Sequence, residues 1–294
     1  MAADRPAQWN VLALLNWTQG HLQRAGVPSP RLSAEMLLAS ALSCRRIDLY
    51  TRHDHVPPEE QLARFRELVR RAAAREPAAY LVGEKEFYSL PFEVTPDVLV
   101  PRPETELLVE EAVERLRAIG RPGWMWDLCT GTGCVALAAA KQVPAARVLA
   151  TDLSPAAADL AQRNAKRLGL EDRVQVLVAD LLSLPAEWSG EKRFDVITAN
   201  PPYVPDAAEV APEVRHEPAM ALRGGKDGLD FIRRIVEGAP GSLAPGGALV
   251  LEFGFDQAPA VRELLAAAGA YQDPKVLRDH QGIERAAVAP RKPA

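Results

Sequence analysis

Cysteine is scarce in this chain, long apolar runs are missing, and neither sign of charge dominates. Three cysteines, Cys44, Cys129 and Cys134, occur in 294 residues, too few and too irregularly spaced for a disulfide framework or a four-ligand zinc site. Reduced thiols and no metal are expected. No stretch approaches the roughly 20 apolar residues that a membrane helix needs, and the polar start MAADRPAQWN has neither the basic beginning nor the apolar middle of a signal peptide. A cytoplasmic protein with no membrane role is the expectation. The net charge is −4, balanced over the first hundred residues and acidic beyond them, so the basic surface that grips nucleic-acid phosphates is not expected.

What is present is an ordinary globular composition in a chain long enough for two domains. Up to about residue 75 the periodicity is helical. Val11, Leu12, Leu14, Leu15 and Leu22 recur in one stretch, Leu32, Met36, Leu37 and Leu38 in the next. The segment VPPEEQLARFRELVRRAAA opens with prolines and two glutamates, as a helix N-terminus does, and places Leu62, Phe65, Leu68 and Val69 on one face. Residues 1–75 therefore read as a small helical bundle. Residues 76–102, broken by Pro91, Pro96 and Pro101, read as a connector with a β-hairpin.

From residue 103 strand and helix patterns alternate, predicting an α/β sheet with helices on both faces. Seven strands are expected near 124–130, 146–152, 174–180, 194–200, 247–254, 273–280 and 284–290. Helices are expected at CVALAAAKQ, SPAAADLAQRNAKRLG, GLDFIRRIVEGA and APAVRELLAAAG, and the tail AAVAPRKPA is expected to fray. Such sheets bind ligands beyond the carboxyl ends of their strands, so the strand ends carry the functional signal.

The first strand ends in DLCTGTGC, where Gly131 and Gly133 permit a tight turn and close backbone approach to a ligand. A cofactor loop and a plain strand-to-helix turn both satisfy this pattern. The second strand ends in VLATD, with Asp152 21 positions after Gly131, near the ~20-residue spacing of an acid that takes ribose hydroxyls. Asp152 could equally cap the helix near Pro155, a role open to Ser154. The third strand ends in VLVAD, where Asp180 and Leu181 could border an adenine. The fourth runs VITANPPYVP, an apolar strand stopped by Asn200, Pro201, Pro202 and Tyr203. The position before proline is held extended and prolines donate no N–H, so Asn200 and nearby carbonyls present acceptors. They suit both hydrogens of a planar amino group, with Tyr203 against its π-face; the other reading is a proline-rich turn.

DLCTGTG, ATD and NPPY in this order resemble a class I S-adenosylmethionine-dependent methyltransferase, with its Rossmann-like seven-stranded sheet. REPAAYLVGEKEFYSLPFEVTPDVLVPRPETE and RLSAEMLLASALSCRRIDLY look like the connector and N-terminal region of the HemK/PrmC family, so the resemblance spans nearly the entire chain. It implies protein-(glutamine-N5) methylation of the Gly-Gly-Gln motif of class 1 peptide-chain release factors. S-adenosyl-L-methionine would be the cofactor and S-adenosyl-L-homocysteine the product. Cys129, Thr130, Gly131, Thr132 and Gly133 then match the cofactor loop, Asp152 the ribose acid and Leu181 the residue beside the adenine. Asn200, Pro201, Pro202 and Tyr203 match the substrate-amide motif, with Asn200, Pro201 and Tyr203 catalytic and Asn200 also beside the cofactor. Cys129 stands where a glycine is common in the family, and Leu181 where some members have an aromatic.

The implied partner is the release factor, recognised by the helical domain, with residues 103–294 as the methyltransferase domain acting as a monomer. No general base is evident. His53 and His55 sit in a polar turn, and Glu104 and Glu106 either border the cofactor or fill the first turn of a helix. The competing functions are an adenine-N6 methyltransferase using the same motif on a flipped DNA or RNA base and a non-catalytic binding module.

Overall fold

A computed structural model describes residues 8–184 and 194–293. Residues up to Glu84, together with Val210–His216, form one unit; Lys85–Glu209 and the chain from Glu217 onward form the other.

In the first unit helices α1 (Val11–Arg24), α2 (Pro30–Ala41), α3 (Asp48–Thr51), α4 (Glu59–Ala73) and α5 (Ala78–Val82) surround a core that includes Val11, Leu15, Leu22, Leu37, Leu38 and Phe65. Leu12 faces outward. The polar turn with both histidines caps α1: the His55 and His53 carbonyls accept from the Val11 and Leu12 N–H at 2.9 and 3.1 Å, and the Asn10 side chain accepts from Ala13. Glu59 and Glu60 begin α4 while Arg70 and Arg71 end it, both opposing the helix dipole. Because α5 packs on α2 and α4, this unit continues to Glu84. It also takes in Val210–His216, where Glu213 pairs with Arg75.

The second unit opens with a hairpin of β1 (Glu84–Phe87) and β2 (Leu90–Glu93), turned by Tyr88 and Ser89 at positive φ. Glu106 begins α6 (Glu106–Ala118), and its carboxylate accepts from the Tyr88 N–H at 2.9 Å. Seven strands follow: β3 (Trp124–Leu128), β4 (Arg147–Asp152), β5 (Val174–Val178), β6 (Phe194–Ala199), β7 (Leu243–Glu252), β8 (Lys275–Arg278) and β9 (Glu284–Pro290). Their order is β5-β4-β3-β6-β7-β9-β8, with the first five parallel and β9 antiparallel to both its neighbours. Side chains alternate across the sheet. Met125 joins α6 and α7 (Cys134–Gln142) on one face; Trp126 and Leu128 join α9 (Asp230–Ser242) and α10 (Ala258–Ala267) on the other. The chain leaves β3 for β4 on one side, and β6 lies on the other, so the ends of β3 and β6 flank a topological switch point.

The tail corrects its expectation. Ala286, Ala287, Val288 and Ala289 are buried in β9, an inner strand between β7 and β8. Beyond them the Arg291 and Lys292 N–H still donate to Gly247 and Ala270 at 2.7 and 2.9 Å. Small side chains suit a strand covered on both faces, so an alanine-rich composition here marks a packed position.

Candidate active site

A cavity of about 190 Å³ opens at the carboxyl ends of β3, β4 and β6. Asp127, at the end of β3, is buried and accepts from the Thr130 and Thr198 hydroxyls, both at 2.6 Å. One carboxylate thereby ties the glycine loop to β6. Its burial pushes the acid up to about 6, against the two hydroxyls that favour its charge.

The loop after β3 is made of left-handed backbone. Cys129, Gly131 and Gly133 have φ of 54°, 54° and 78°, so the position where the family commonly has glycine is one where glycine is free of strain and cysteine is not. A Cβ on Gly131 would meet open space, whereas one on Gly133 would press on Leu137 and Ala161 at 3.0 and 3.2 Å. Gly131 thus serves the turn, and Gly133 serves close packing of α7 on α8 (Pro155–Leu168). Asn164, fully buried on α8, donates to the Thr132 carbonyl at 2.9 Å and accepts from the Glu93 N–H at 2.8 Å, fixing the loop against the hairpin. Burial raises both neighbouring thiols, that of Cys134 to about 12, so neither is a thiolate nucleophile at neutral pH.

Asp152 ends β4. Its Oδ2 accepts from the Gly131 N–H and its Oδ1 from the Ser154 N–H, both at 2.9 Å. Ser154 is the residue that caps α8, accepting from the Ala157 N–H at 3.3 Å. Each Asp152 oxygen keeps a lone pair for a further donor, and burial holds the carboxyl above its ordinary value. Next along the sheet, Asp180 pairs with Arg234 at 2.9 Å, and Leu181 is buried at φ 48°. Phe231 of α9 borders the same cavity and brings an aromatic ring to the region where Leu181 has none.

Asn200 follows β6, and its Nδ2 donates to the Thr105 hydroxyl oxygen at 3.1 Å. Gly224 and Gly228 let other backbone lie against Pro202 and Tyr203: a Cβ at either would come within 2.6 Å of the Pro202 carbonyl or 2.2 Å of the Tyr203 carbonyl. Gln257 donates to the Tyr203 carbonyl at 3.0 Å. The NPPY segment is therefore held by backbone contact and a buried amide.

Cys129, Thr130, Gly131, Thr132, Asp152, Leu181, Asn200 and Pro202 all border the one cavity; Gly133, Pro201 and Tyr203 do not. Gly133 is turned to α7, Pro201 is buried, and the Tyr203 hydroxyl donates away from the cavity to Glu252 Oε1 at 3.4 Å. Glu104 lies in the 3-10 turn before α6 and Glu106 binds the hairpin. Sequence reasoning passed over Asp127, Thr105, Asn164, Phe231 and Glu252. Glu252 alone carried a visible signal, an acid closing the apolar run ALVLE as Asp152 closes β4.

The sheet order and the loop define a class I methyltransferase fold. A solved methyltransferase structure from Pyrococcus furiosus shares that fold, with a TM-score of 0.52 and 23% identity over 71% of this chain and 92% of that one. Residues 13–83 match the family described as PrmC N-terminal domain, and residues 126–216 match that described as Methyltransferase domain. Curated relatives extend over the whole length. The release factor glutamine methyltransferase of Geobacter sulfurreducens is 44% identical over 96% of this chain and 97% of its own. That of Moorella thermoacetica is 46% identical over 92% and 95%. The chain belongs to the release factor glutamine methyltransferase family.

The Asp127 clamp has a consequence for stability. Its acid is raised from 3.8 to about 6 in the fold, so the folded state binds this proton more tightly than the unfolded chain. The contribution is complete below the unfolded value and is lost as pH rises through the folded one. About two pH units correspond to roughly 3 kcal/mol. In urea unfolding, the stability of wild type relative to Asp127→Asn should fall by up to about that amount between pH 4 and 7. A gap that does not change with pH would show that Asp127 titrates as an ordinary carboxylate.

Proposed function

We propose that this chain transfers a methyl group from S-adenosyl-L-methionine to the side-chain amide nitrogen of the Gly-Gly-Gln glutamine in class 1 peptide-chain release factors. The observation that carries this is the arrangement of Asn200: a neutral amide at the end of β6, bordering the same cavity as the glycine loop and Asp152. Full-length similarity to curated release factor glutamine methyltransferases supports it.

The residues fit the cofactor. Asp152 is pre-positioned by two backbone N–H groups with lone pairs to spare for ribose hydroxyls, and Gly131 leaves its side of the turn open. Leu181 and Phe231 supply apolar walls for an adenine, and Asp180 an acceptor for its amino group. When bound, S-adenosyl-L-methionine supplies an electrophilic methyl on a sulfonium and leaves as S-adenosyl-L-homocysteine. The work of this chain's residues is orientation. An amide nitrogen is a weak nucleophile because its lone pair is delocalised into the carbonyl. Asn200 Oδ1 accepts one of its hydrogens and aims it along the line of displacement; the Pro201 carbonyl, which does not border the cavity, would take the other where the substrate reaches past Asn200. They also stabilise positive charge as it grows on the nitrogen, and the proton leaves afterwards to water.

In this reading the helical unit recognises the body of the release factor, since a tripeptide offers too little surface for selection. The enzyme acts as a monomer in the cytoplasm, without binding nucleic acid directly. Among the described residues no helix is long and apolar enough to cross a membrane. Adenine methylation is the weaker reading, because the catalytic part of the chain is acidic and a flipped base needs phosphate contacts to hold its strand.

Incubation with labelled cofactor and either purified release factor or duplex DNA tests the proposal: label belongs in the glutamine of the factor, and label in DNA overturns it. Asn200→Ala should lower turnover by about 10²–10³-fold, the usual effect of losing one preorganised polar contact, while cofactor affinity stays near wild type. Wild-type turnover would remove Asn200 from the chemistry. Asp152→Ala should weaken cofactor binding by about tenfold or more, because hydrogen bonds to a charged acceptor are lost. Calorimetry giving an unchanged Kd would take Asp152 out of the cofactor site.

A further inference from the structure

Asn200 can serve as an acceptor only if its amide presents oxygen, not NH2, to the substrate. The two ends of an amide are nearly the same shape, and the wrong end would set donor against donor. Thr105, the neighbour of Asn200, does not decide the matter alone, since a hydroxyl can accept from Nδ2 or donate to Oδ1. What decides it is the group on the far side of Thr105.

That group is Glu252, at the carboxyl end of β7, the strand that pairs with β6. Its side chain is buried; Oε1 accepts from the Tyr203 hydroxyl at 3.4 Å, and Oε2 has no hydrogen-bond partner among the described residues. The Thr105 hydroxyl, which bonds Asn200, is near enough to this carboxylate to favour its charged form, although the two share no hydrogen bond of good geometry. An ionised carboxylate only accepts. Thr105 must then direct its proton to Glu252, which leaves its lone pairs for the Asn200 NH2 and turns Asn200 Oδ1 the other way. We propose that Glu252, acting through Thr105, is a positioning residue that fixes which end of the Asn200 amide meets the substrate. This rests on the role proposed for Asn200.

The groups around Glu252 make the device sensitive to pH. Burial, with Glu104 of the turn before α6 adding to it, pushes the acid up to about 7; the hydroxyls of Thr105 and Tyr203 and the charge of Arg285 on β9 oppose the shift. Arg285 is already engaged by Asp279 at 3.0 Å, and the Cys134 thiol of α7, kept neutral by burial, feels the charge of Glu252 only weakly. A protonated Glu252 can donate to Thr105, whose own proton is then free to turn to Asn200 Oδ1 and invert the amide.

The experiment uses the full chain with purified release factor. Wild type should lose kcat as pH falls through about 7, and Glu252→Gln, which cannot ionise, should be slower than the wild-type plateau and flat across that range. Thr105→Val should lower kcat roughly tenfold, the scale of one hydrogen bond, with cofactor Kd unchanged, and Thr105→Ser should restore it. The double variant should be no slower than Thr105→Val, because Glu252 acts through Thr105. The proposal is overturned by a Glu252→Gln enzyme that keeps the wild-type acid limb, by wild-type kcat in Thr105→Val, or by effects that multiply in the double variant. Asn200→Ala separates the two levels. If it is inactive while Glu252 and Thr105 prove irrelevant, only the positioning claim falls; if it is fully active, both fall.

Discussion

The carboxylate of Asp127 is the interaction on which the site depends. Its two oxygens take the hydroxyls of Thr130 and Thr198, so the loop after β3 and the end of β6 are fixed to one buried point. Asn200 lies two residues beyond Thr198, and Gly131 one beyond Thr130. The glycine loop and Asn200 are thus tied to a common anchor by a single side chain. A methyl transfer needs its reacting atoms held close together and in line, and a clamp shared by both halves contributes to that alignment. The desolvation of the acid is the cost of that shared anchor, visible as its raised proton affinity.

Backbone strain reaches this region too, as it does the hairpin turn at Tyr88 and Ser89 and other turns of the chain. Cys129 and Leu181 are non-glycine residues in the left-handed region, and both border the cavity. The surroundings hold Cys129 there: the Thr130 N–H donates to the Thr151 carbonyl at 3.0 Å, and the buried Asn164 pins Thr132. Glycine at 129 would relax the turn but loosen it in the unfolded chain. The cysteine narrows that freedom while its thiol, disfavoured as a charge by desolvation, stays neutral.

The parts of the site that the sequence made legible are those where a strand's apolar run stops at a polar residue. Asp152, Asp180 and Asn200 each end such a run, and each borders the cavity. Strand ends are local events, fixed by the residue that halts the run, so a single pass along the chain finds them. Thr105 escapes because its partner Asn200 is 95 residues away and its own surroundings, RPETE, read as the start of a helix. Glu252 closes its run in the same way as the others, yet an acid there gives no local sign of whether it lines a cavity or stands behind it. The inward return of Val210–His216 to the helical unit has no local signal at all. The tail misled for a related reason: alanine-rich sequence looks featureless by itself, and only β7 and β8 on either side make Ala286–Ala289 a core strand. NPPY, in turn, ends β6 abruptly because two prolines prevent the ladder from continuing past it, and in the proposed mechanism what they leave at its tip is an acceptor.

The charges of the site fit the electrostatics of a sulfonium. Acids near a cationic methyl donor strengthen its binding, but they also resist transfer, because the positive charge on sulfur is quenched as the methyl leaves. An uncompensated carboxylate against the reacting centre would therefore hold the ground state more tightly than the transition state. Asp180 has Arg234 as its counter-ion, Asp152 is bonded by two N–H groups, and Asp127 is engaged by two hydroxyls. Glu252, the acid with a bare oxygen, stands one residue removed, behind Thr105 and Tyr203, and titrates at about 7. In the proposed mechanism the residue left to face the substrate is Asn200, which accepts a hydrogen bond without adding charge. A neutral acceptor can stabilise positive charge growing on the amide nitrogen while leaving the sulfonium's own charge free to disappear, and that asymmetry is what an asparagine supplies and an aspartate would not.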